Sequence, residues 1–254
     1  MKRLSMLMLG ASALSAPFAI AEEPSATPYR PTVSTPANLS EPKWLEVELG
    51  GLHTSGGDSK RRDSIPYTVK YAFTPDWGVR VGGDAWLQQV ASDGSRLSGF
   101  GDTAIILKRR FPLSDNHAFG LEGGANLPTA KDGLGAGKTD YVVNAIYSAN
   151  LNAYHADLNL AASRIGQLDA GTGRWQRTWA AALSRPLDER FSLAAEVSGT
   201  NQRGIASTAQ FLVAASYNYS NRVVFDAGAA SGLTRATPDW SLFAGVTILL
   251  AKVQ

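Results

Sequence analysis

Residues 77–88 read WGVRVGGDAWLQ. Trp77, Val79, Val81, Gly83, Ala85 and Leu87 fall on one parity, and Gly78, Arg80, Gly82, Asp84, Trp86 and Gln88 on the other. A helix would mix these two sets around its circumference, whereas a strand separates them onto opposite faces. The same split recurs at 117–127, where Phe119, Leu121, Gly123, Ala125 and Leu127 oppose Glu122 and Asn126. At 154–163 Tyr154, Ala156, Leu158, Leu160 and Ala162 oppose His155, Asp157, Asn159 and Ser163, and 208–219 behaves alike.

Outward from these stretches, period two governs the chain from Trp44 to its end. Twelve runs alternate: 44–53, 65–74, 77–89, 101–111, 117–127, 139–151, 154–166, 174–185, 190–200, 208–219, 222–231 and 240–250. Their connections alternate in length. Tight Pro-, Asp- and Asn-rich turns follow the even runs, at 75–76, 112–116, 152–153, 186–189 and 220–221. Longer polar segments follow the odd ones, at 54–64, 90–100, 128–138, 167–173, 201–207 and 232–239. A soluble sandwich has no reason to gather its tight turns at one end, but a transmembrane barrel has short periplasmic turns and longer outer loops. Run lengths suit tilted membrane strands of about 9–11 residues better than soluble strands of about 5–6. Aromatics gather near run ends, among them Trp44, Trp77, Phe111 and Tyr154 by the short turns and Tyr141, Trp175, Trp179 and Trp240 by the long ones. Two such girdles fit the two interfaces of a bilayer. The expectation is an all-β, closed antiparallel transmembrane β-barrel of twelve strands over residues 43–254, closed because lipid cannot satisfy open strand edges.

Composition agrees. The 254 residues carry 44% hydrophobic and 18% charged side chains, too apolar for a disordered chain. Mean hydropathy of -0.11 is too polar for a helical membrane bundle. The absence of Cys excludes disulfides and thiolate ligation. A net charge of +2 gives no case for nucleic acid as a partner. Residues 1–21 read as an export signal, with Lys2 and Arg3, an apolar stretch from Leu4 to Ile20, and Ala19-Ile20-Ala21 before Glu22. Residues 22–42 hold Pro24, Pro28, Pro31, Pro36 and Pro42 among Ser, Thr and Ala. Such a segment favours extended polyproline-like chain and is expected as a periplasmic tether, with a disordered arm or a plug as the alternatives.

Gly99-Phe100-Gly101-Asp102-Thr103-Ala104-Ile105-Ile106-Leu107-Lys108-Arg109-Arg110-Phe111 resembles the G-x-G-D-x-x-x-x-x-K-x-R strand of an outer-membrane family named for the phenol meta-cleavage pathway. Leu127-Pro128-Thr129 with the stretch from Gly133 to Asp140, and Pro238-Asp239-Trp240-Ser241 before the last run, fit the same family. The resemblance implies an outer-membrane barrel that moves hydrophobic or aromatic compounds, a small-molecule substrate, and outer-membrane lipid and lipopolysaccharide as surroundings. One departure is the non-aromatic end, Leu249-Leu250-Ala251-Lys252-Val253-Gln254.

In this register Glu46, Glu48, Lys70, Arg80, Asp84, Asp102, Lys108, Arg110, Glu122, Asp140, Asp157, Glu196 and Asp226 point inward. Charge on the lipid face at midplane costs about 2–4 kcal/mol for Arg or Lys, which forces that assignment. Two roles compete: a selective pore lining, or pairing that fills a barrel only moderately wider than the eight-stranded kind. A narrow, partly blocked channel is expected. The basic cluster Lys60, Arg61 and Arg62 reads as a solvated loop, or more sharply as a contact for lipopolysaccharide phosphates.

Catalytic groupings fail on spacing. His155 with Asp157 and Ser163 on one face reads as a satisfied lumen histidine, since a nucleophile needs its base within hydrogen-bond reach. Three scattered histidines offer no metal site. Gly133 to Thr139 evokes a phosphate loop, but Asp132 stands where that frame needs Gly and a strand follows. No enzyme activity, cofactor or metal is expected. A lipid-acting barrel enzyme and a structural or adhesive barrel remain the alternatives to a channel.

Overall fold

The computed structural model describes residues 23–57 and 59–253, so the leader expected at 1–21 lies outside the described residues. Strands are β1 (Trp44–Ser55), β2 (Arg61–Ala72), β3 (Trp77–Val90), β4 (Arg96–Gly99), β5 (Thr103–Ser114), β6 (His117–Leu127), β7 (Asp140–Leu151), β8 (Tyr154–Arg164), β9 (Trp175–Pro186), β10 (Phe191–Gln202), β11 (Ile205–Ser220), β12 (Val223–Gly232) and β13 (Trp240–Lys252). Each pairs antiparallel with its neighbours, β1 pairs with β13, and the β2–β3 pairing completes the circuit. Twelve strands thus close the barrel, one for each alternating run, while the short β4 pairs with β3 alone. The seam is well made. β13 follows β1 from Ser55↔Trp240 down to Trp44↔Lys252, so the chain end lacks an aromatic but not a strand partner.

The outer face carries Leu107, Leu121, Val143, Leu158, Leu160, Leu193 and Val213, all exposed, with Leu160 at 69%. An apolar band of that extent is untenable in water and suits a bilayer. The described residues form no helix able to cross a membrane; strands do the crossing.

Three local expectations change. The quoted stretch 77–88 contains a bulge, because Ile65 pairs with Trp86 whereas Pro66 pairs with Asp84, leaving Ala85 as the extra residue. Pro66 has no N–H to give the ladder, and bulges are where sheets tolerate proline. Parity flips there, so Trp86 turns out to lipid at 39% exposure and Leu87 turns in, almost wholly buried. Next, β2 begins at Arg61, so most of the basic cluster is strand rather than loop: Arg61 pairs with Asp63 and Arg62 with Asp84, each at 2.9 Å. Finally, β10 and β11 extend until only Arg203 and Gly204 connect them, with Gly204 at φ 79°. The long loop expected at 201–207 is a two-residue turn made possible by glycine's tolerance of positive φ.

Candidate functional site

The wall of the lumen supplies an excess of carboxylates, and the Pro-rich segment supplies their donors. Glu46 and Lys70 face one another across β1 and β2. Lys70 Nζ binds Glu46, reaches Glu48 Oε1 at 2.6 Å and donates to the Thr27 carbonyl at 2.6 Å. The same carboxylates accept the backbone N–H groups of Thr27 (2.8 Å, Glu46) and Tyr29 (2.7 Å, Glu48). Arg30 then forks onto Asp226 of β12 at 3.0 and 3.1 Å. Glu196 of β10 accepts the N–H groups of Val33 (3.2 Å) and Ser34 (2.7 Å). Asn159 of β8 exchanges hydrogen bonds with the Thr35 backbone, and Ser148 of β7 accepts Ala37 N–H at 2.7 Å. Arg110 of β5 holds Asn38 at 3.0 Å, and Pro42 bridges Ala72 of β2.

The arm therefore runs around the inner wall past β1, β12, β10, β8, β7, β5 and back to β2. This corrects the expectation of a free periplasmic tether. Buried backbone donors must be met. Pro28, Pro31 and Pro36 have none to satisfy, and the N–H groups at 27, 29, 33, 34, 35 and 37 each meet a wall side chain. Prolines that would forbid a strand thus make a segment that can lie in a lumen without a ladder of its own.

Tyr29 is the arm's anchor. Lys70 Nζ at 3.9 Å and Lys108 Nζ at 4.2 Å both stand over its ring, a doubled cation–π contact. Its hydroxyl accepts from Lys108 at 3.1 Å and donates to the Asn38 carbonyl at 2.9 Å. Lys108 also binds the Pro36 carbonyl and stands 3.7 Å from Glu122, which takes Arg80 at 3.3 Å and Asn144 at 3.0 Å. Lys70, Lys108, Glu46 and Glu122 are buried to within 2% of full burial, so they do not border open water. Charge in such a place survives because every partner is a charge or a dipole.

The remaining inward residues act at the two ends. Asp84 holds Arg62, and Asp140 accepts Gly166 N–H at 2.8 Å. Asp102 accepts Ala130 N–H at 3.0 Å and Ala136 N–H at 2.7 Å, tying down the outer loop 128–139. Asp140 thus anchors a loop at the rim instead of lining a passage. At the other end Asp157 takes His155 Nε2 at 3.2 Å and the Ser148 hydroxyl, and His155 Nδ1 meets Asn150 at 2.6 Å. The carboxylate stands between serine and histidine, and the Ser148 oxygen already holds Ala37 N–H. Ser163 sits at the opposite end of β8. Among the described residues no three His, Asp or Glu gather as a metal site.

Two cavities flank the arm. One, of about 260 Å³, is lined by Leu52, Leu212, Ala230, Phe243, Val33, Pro66 and Pro238, with Thr54, Gln210 and Ser241 at polar points. It reaches from the arm toward the loop at Pro238. The other, of about 300 Å³, lies toward the short turns and is lined by Asp157, His155, Ser184, Ser192 and Ser216. Arg30 and Pro31 line both, so the Arg30–Asp226 pair stands at the division. The sequence carried one signal of this. Gly50 and Gly245 are cross-strand partners facing inward, and a Cβ on either would strike the Arg30 guanidinium at 2.6 or 2.5 Å.

A family model described as "Putative MetA-pathway of phenol degradation" matches residues 91–250. The chain belongs to that family. No curated protein matches it in sequence. An outer membrane channel from Pseudomonas putida F1 shares its fold at TM-score 0.67 and 14% identity, covering 84% of this chain and 98% of that one. The NanC porin aligns at TM-score 0.60 and 9% identity, over 80% of this chain and all of the porin (100%). The CymD monoaromatic hydrocarbon channel aligns at TM-score 0.50 and 8% identity, over 82% and 89%. Family membership and these likenesses agree with the closed twelve-stranded barrel.

Proposed function

We propose that the protein is a passive outer-membrane channel for small hydrophobic or aromatic compounds, with its N-terminal arm as the barrier across the lumen. The observation that carries this reading is the apolar cavity beneath the outer loops, floored by Arg30 and Pro31. Its Leu52, Leu212 and Phe243 walls suit a ring, and its few polar points can orient a hydroxyl. The family name, and the monoaromatic hydrocarbon channel among proteins of like fold, support the same class of substrate. The apolar band supports outer-membrane lipid, with lipopolysaccharide, as the barrel's surroundings. No catalytic step is assigned, because the Ser148, Asp157 and His155 group lacks a serine-to-histidine contact.

The test is uptake of a radiolabelled monoaromatic into liposomes holding the purified protein. Leu212→Arg, which fills the cavity with charge, is expected to reduce uptake at least about fivefold, while Leu187→Arg on a short turn leaves it unchanged. Uptake no faster than in protein-free liposomes would overturn the reading. Hydrolysis of phospholipid by the same preparation would favour the enzyme alternative.

A further inference from the structure

Outward-facing arginines occur at both rims of the barrel, and the two rims treat them differently. Near the short turns Arg109 lies over Trp77 and Phe111, Arg185 over Tyr154, and Arg222 over Trp44. Their charge is met by ring faces. At the other rim Arg164 ends β8, Arg174 precedes β9, Arg177 lies within β9, and Arg203 sits in the β10–β11 turn. All four are exposed. Among the described residues none has a carboxylate at ion-pair distance or lies over an aromatic ring. The carboxylate of nearby Asp140 is taken by Gly166 N–H, and Asp169 lies in the adjoining loop.

These arginines form one group. Arg164 is paired with Trp175, and Arg177 with Ala162 and Asn201, which makes Arg164 and Arg177 diagonal neighbours about 7–8 Å apart. Gly173 donates to the Arg203 carbonyl at 2.7 Å, and Ile165 to that of Arg174 at 2.8 Å, which ties the flanking loops together. Arg174, Arg177, Arg203, Trp175 and Asn201 surround a depression of about 620 Å³. Arg177 stands on the same face of β9 as Trp175 and Trp179, the aromatic mark of a bilayer interface. Solvation by water would suit an arginine standing alone. Three arginines around one depression, with Arg164 diagonal to Arg177 beside it, suit an anion that carries several phosphate oxygens at the lipid interface, since the planar fork takes phosphate bidentately.

We infer that Arg164, Arg174, Arg177 and Arg203 form a binding site for the phosphorylated glucosamine headgroup of lipopolysaccharide, packed against the outside of β8–β11. The inference rests on the outer-membrane placement proposed above, and it moves the expected lipid contact away from Arg61 and Arg62, whose charges are paired with Asp63 and Asp84.

Native mass spectrometry of the detergent-solubilised full chain, titrated with diphosphoryl lipid A, tests it. Replacing all four arginines by serine is expected to weaken binding at least about tenfold, as loss of even one charge-assisted contact would. Replacing Lys60, Arg61 and Arg62 by serine should leave binding unchanged. Migration before and after boiling in detergent checks that each variant is folded, and the pair Arg177→Ser and Arg203→Ser serves if the quadruple variant is not. Binding that is unaffected by either set, equal for dephosphorylated lipid A, or abolished by millimolar inorganic phosphate overturns the site. Aromatic uptake by the same variants reads the channel proposal separately, and is expected to stay at the wild-type level.

Discussion

At the scale of single residues, Glu196 shows what the buried acids do. Both of its oxygens accept backbone N–H groups of the arm, and its side chain is 2% exposed. Hydrogen bonds to a charged acceptor are worth about 1.5–3 kcal/mol each. Glu196→Ala leaves two donors without partners inside the lumen, so amide protection at Val33 and Ser34 is expected to fall about tenfold or more while the strand amides of β9 and β10 keep theirs. Hydrogen exchange read by mass spectrometry measures both; equal protection at 33–34 in the two proteins would refute the assignment. That Glu196 points inward was legible from alternation along 190–200. What it points at was not, because composition cannot distinguish a polyproline-like segment in water from one lying against carboxylates. The imbalance of inward charge, nine acids against four bases, was the available sign: acceptors outnumbered the cations, and the missing donors were backbone N–H groups.

Among the elements, the short turns were the easiest to locate and the bulge the hardest. The turn between β9 and β10 is closed by Asp188, whose carboxylate accepts N–H from Arg190 at 2.7 Å and Phe191 at 2.8 Å. Those bonds, with Phe191 first and Arg190 second, hold its pKa below the ordinary carboxylate range. A carboxyl whose folded pKa is depressed stabilises the turn above its unfolded value of about 3.9, and that contribution disappears as pH falls through the lower folded value. Exchange protection at Phe191 is therefore expected to decline on acidification from about pH 5 to about pH 2, and Asp188→Asn is expected to remove the decline. A variant that keeps the pH dependence would show another group to be responsible. The Ala85 bulge escaped the alternation because a period of two is preserved on each side of it, and only the pairing of β3 with β2 shows the break. Pro66 in the partner strand was its only trace in the sequence.

For the molecule as a whole, the barrel and its filling are separable. Every ladder in the circuit, the β1–β13 seam included, is made by strand residues alone. Deleting residues 23–41 is accordingly expected to leave a barrel that resists unfolding in detergent until heated, while its ion conductance in planar bilayers rises several-fold as water replaces Tyr29 and its neighbours. A deleted protein that conducts like the full chain would refute the arm as a barrier; one that fails to migrate as a folded barrel would refute separability. The twelve strands and their closure were readable because lipid imposes alternation and length on every strand. The lumen imposes neither on what lies within it.

The path of the arm also sets an order of events. Arg30 reaches Asp226 across a sequence separation of 196 residues, and Ser34 reaches Glu196 across 162. Neither acceptor exists for the arm until β10 and β12 have taken their places, whereas the hairpins between them need only near neighbours. Contacts that span most of a chain come late, since the entropy of closing so large a loop is met only when the rest is in place. The arm, which precedes every strand in the sequence, is thus among the last parts to settle. Closure of the β1–β13 seam spans just as much chain, so a newly inserted copy seats its arm and closes its wall together, after the intervening hairpins.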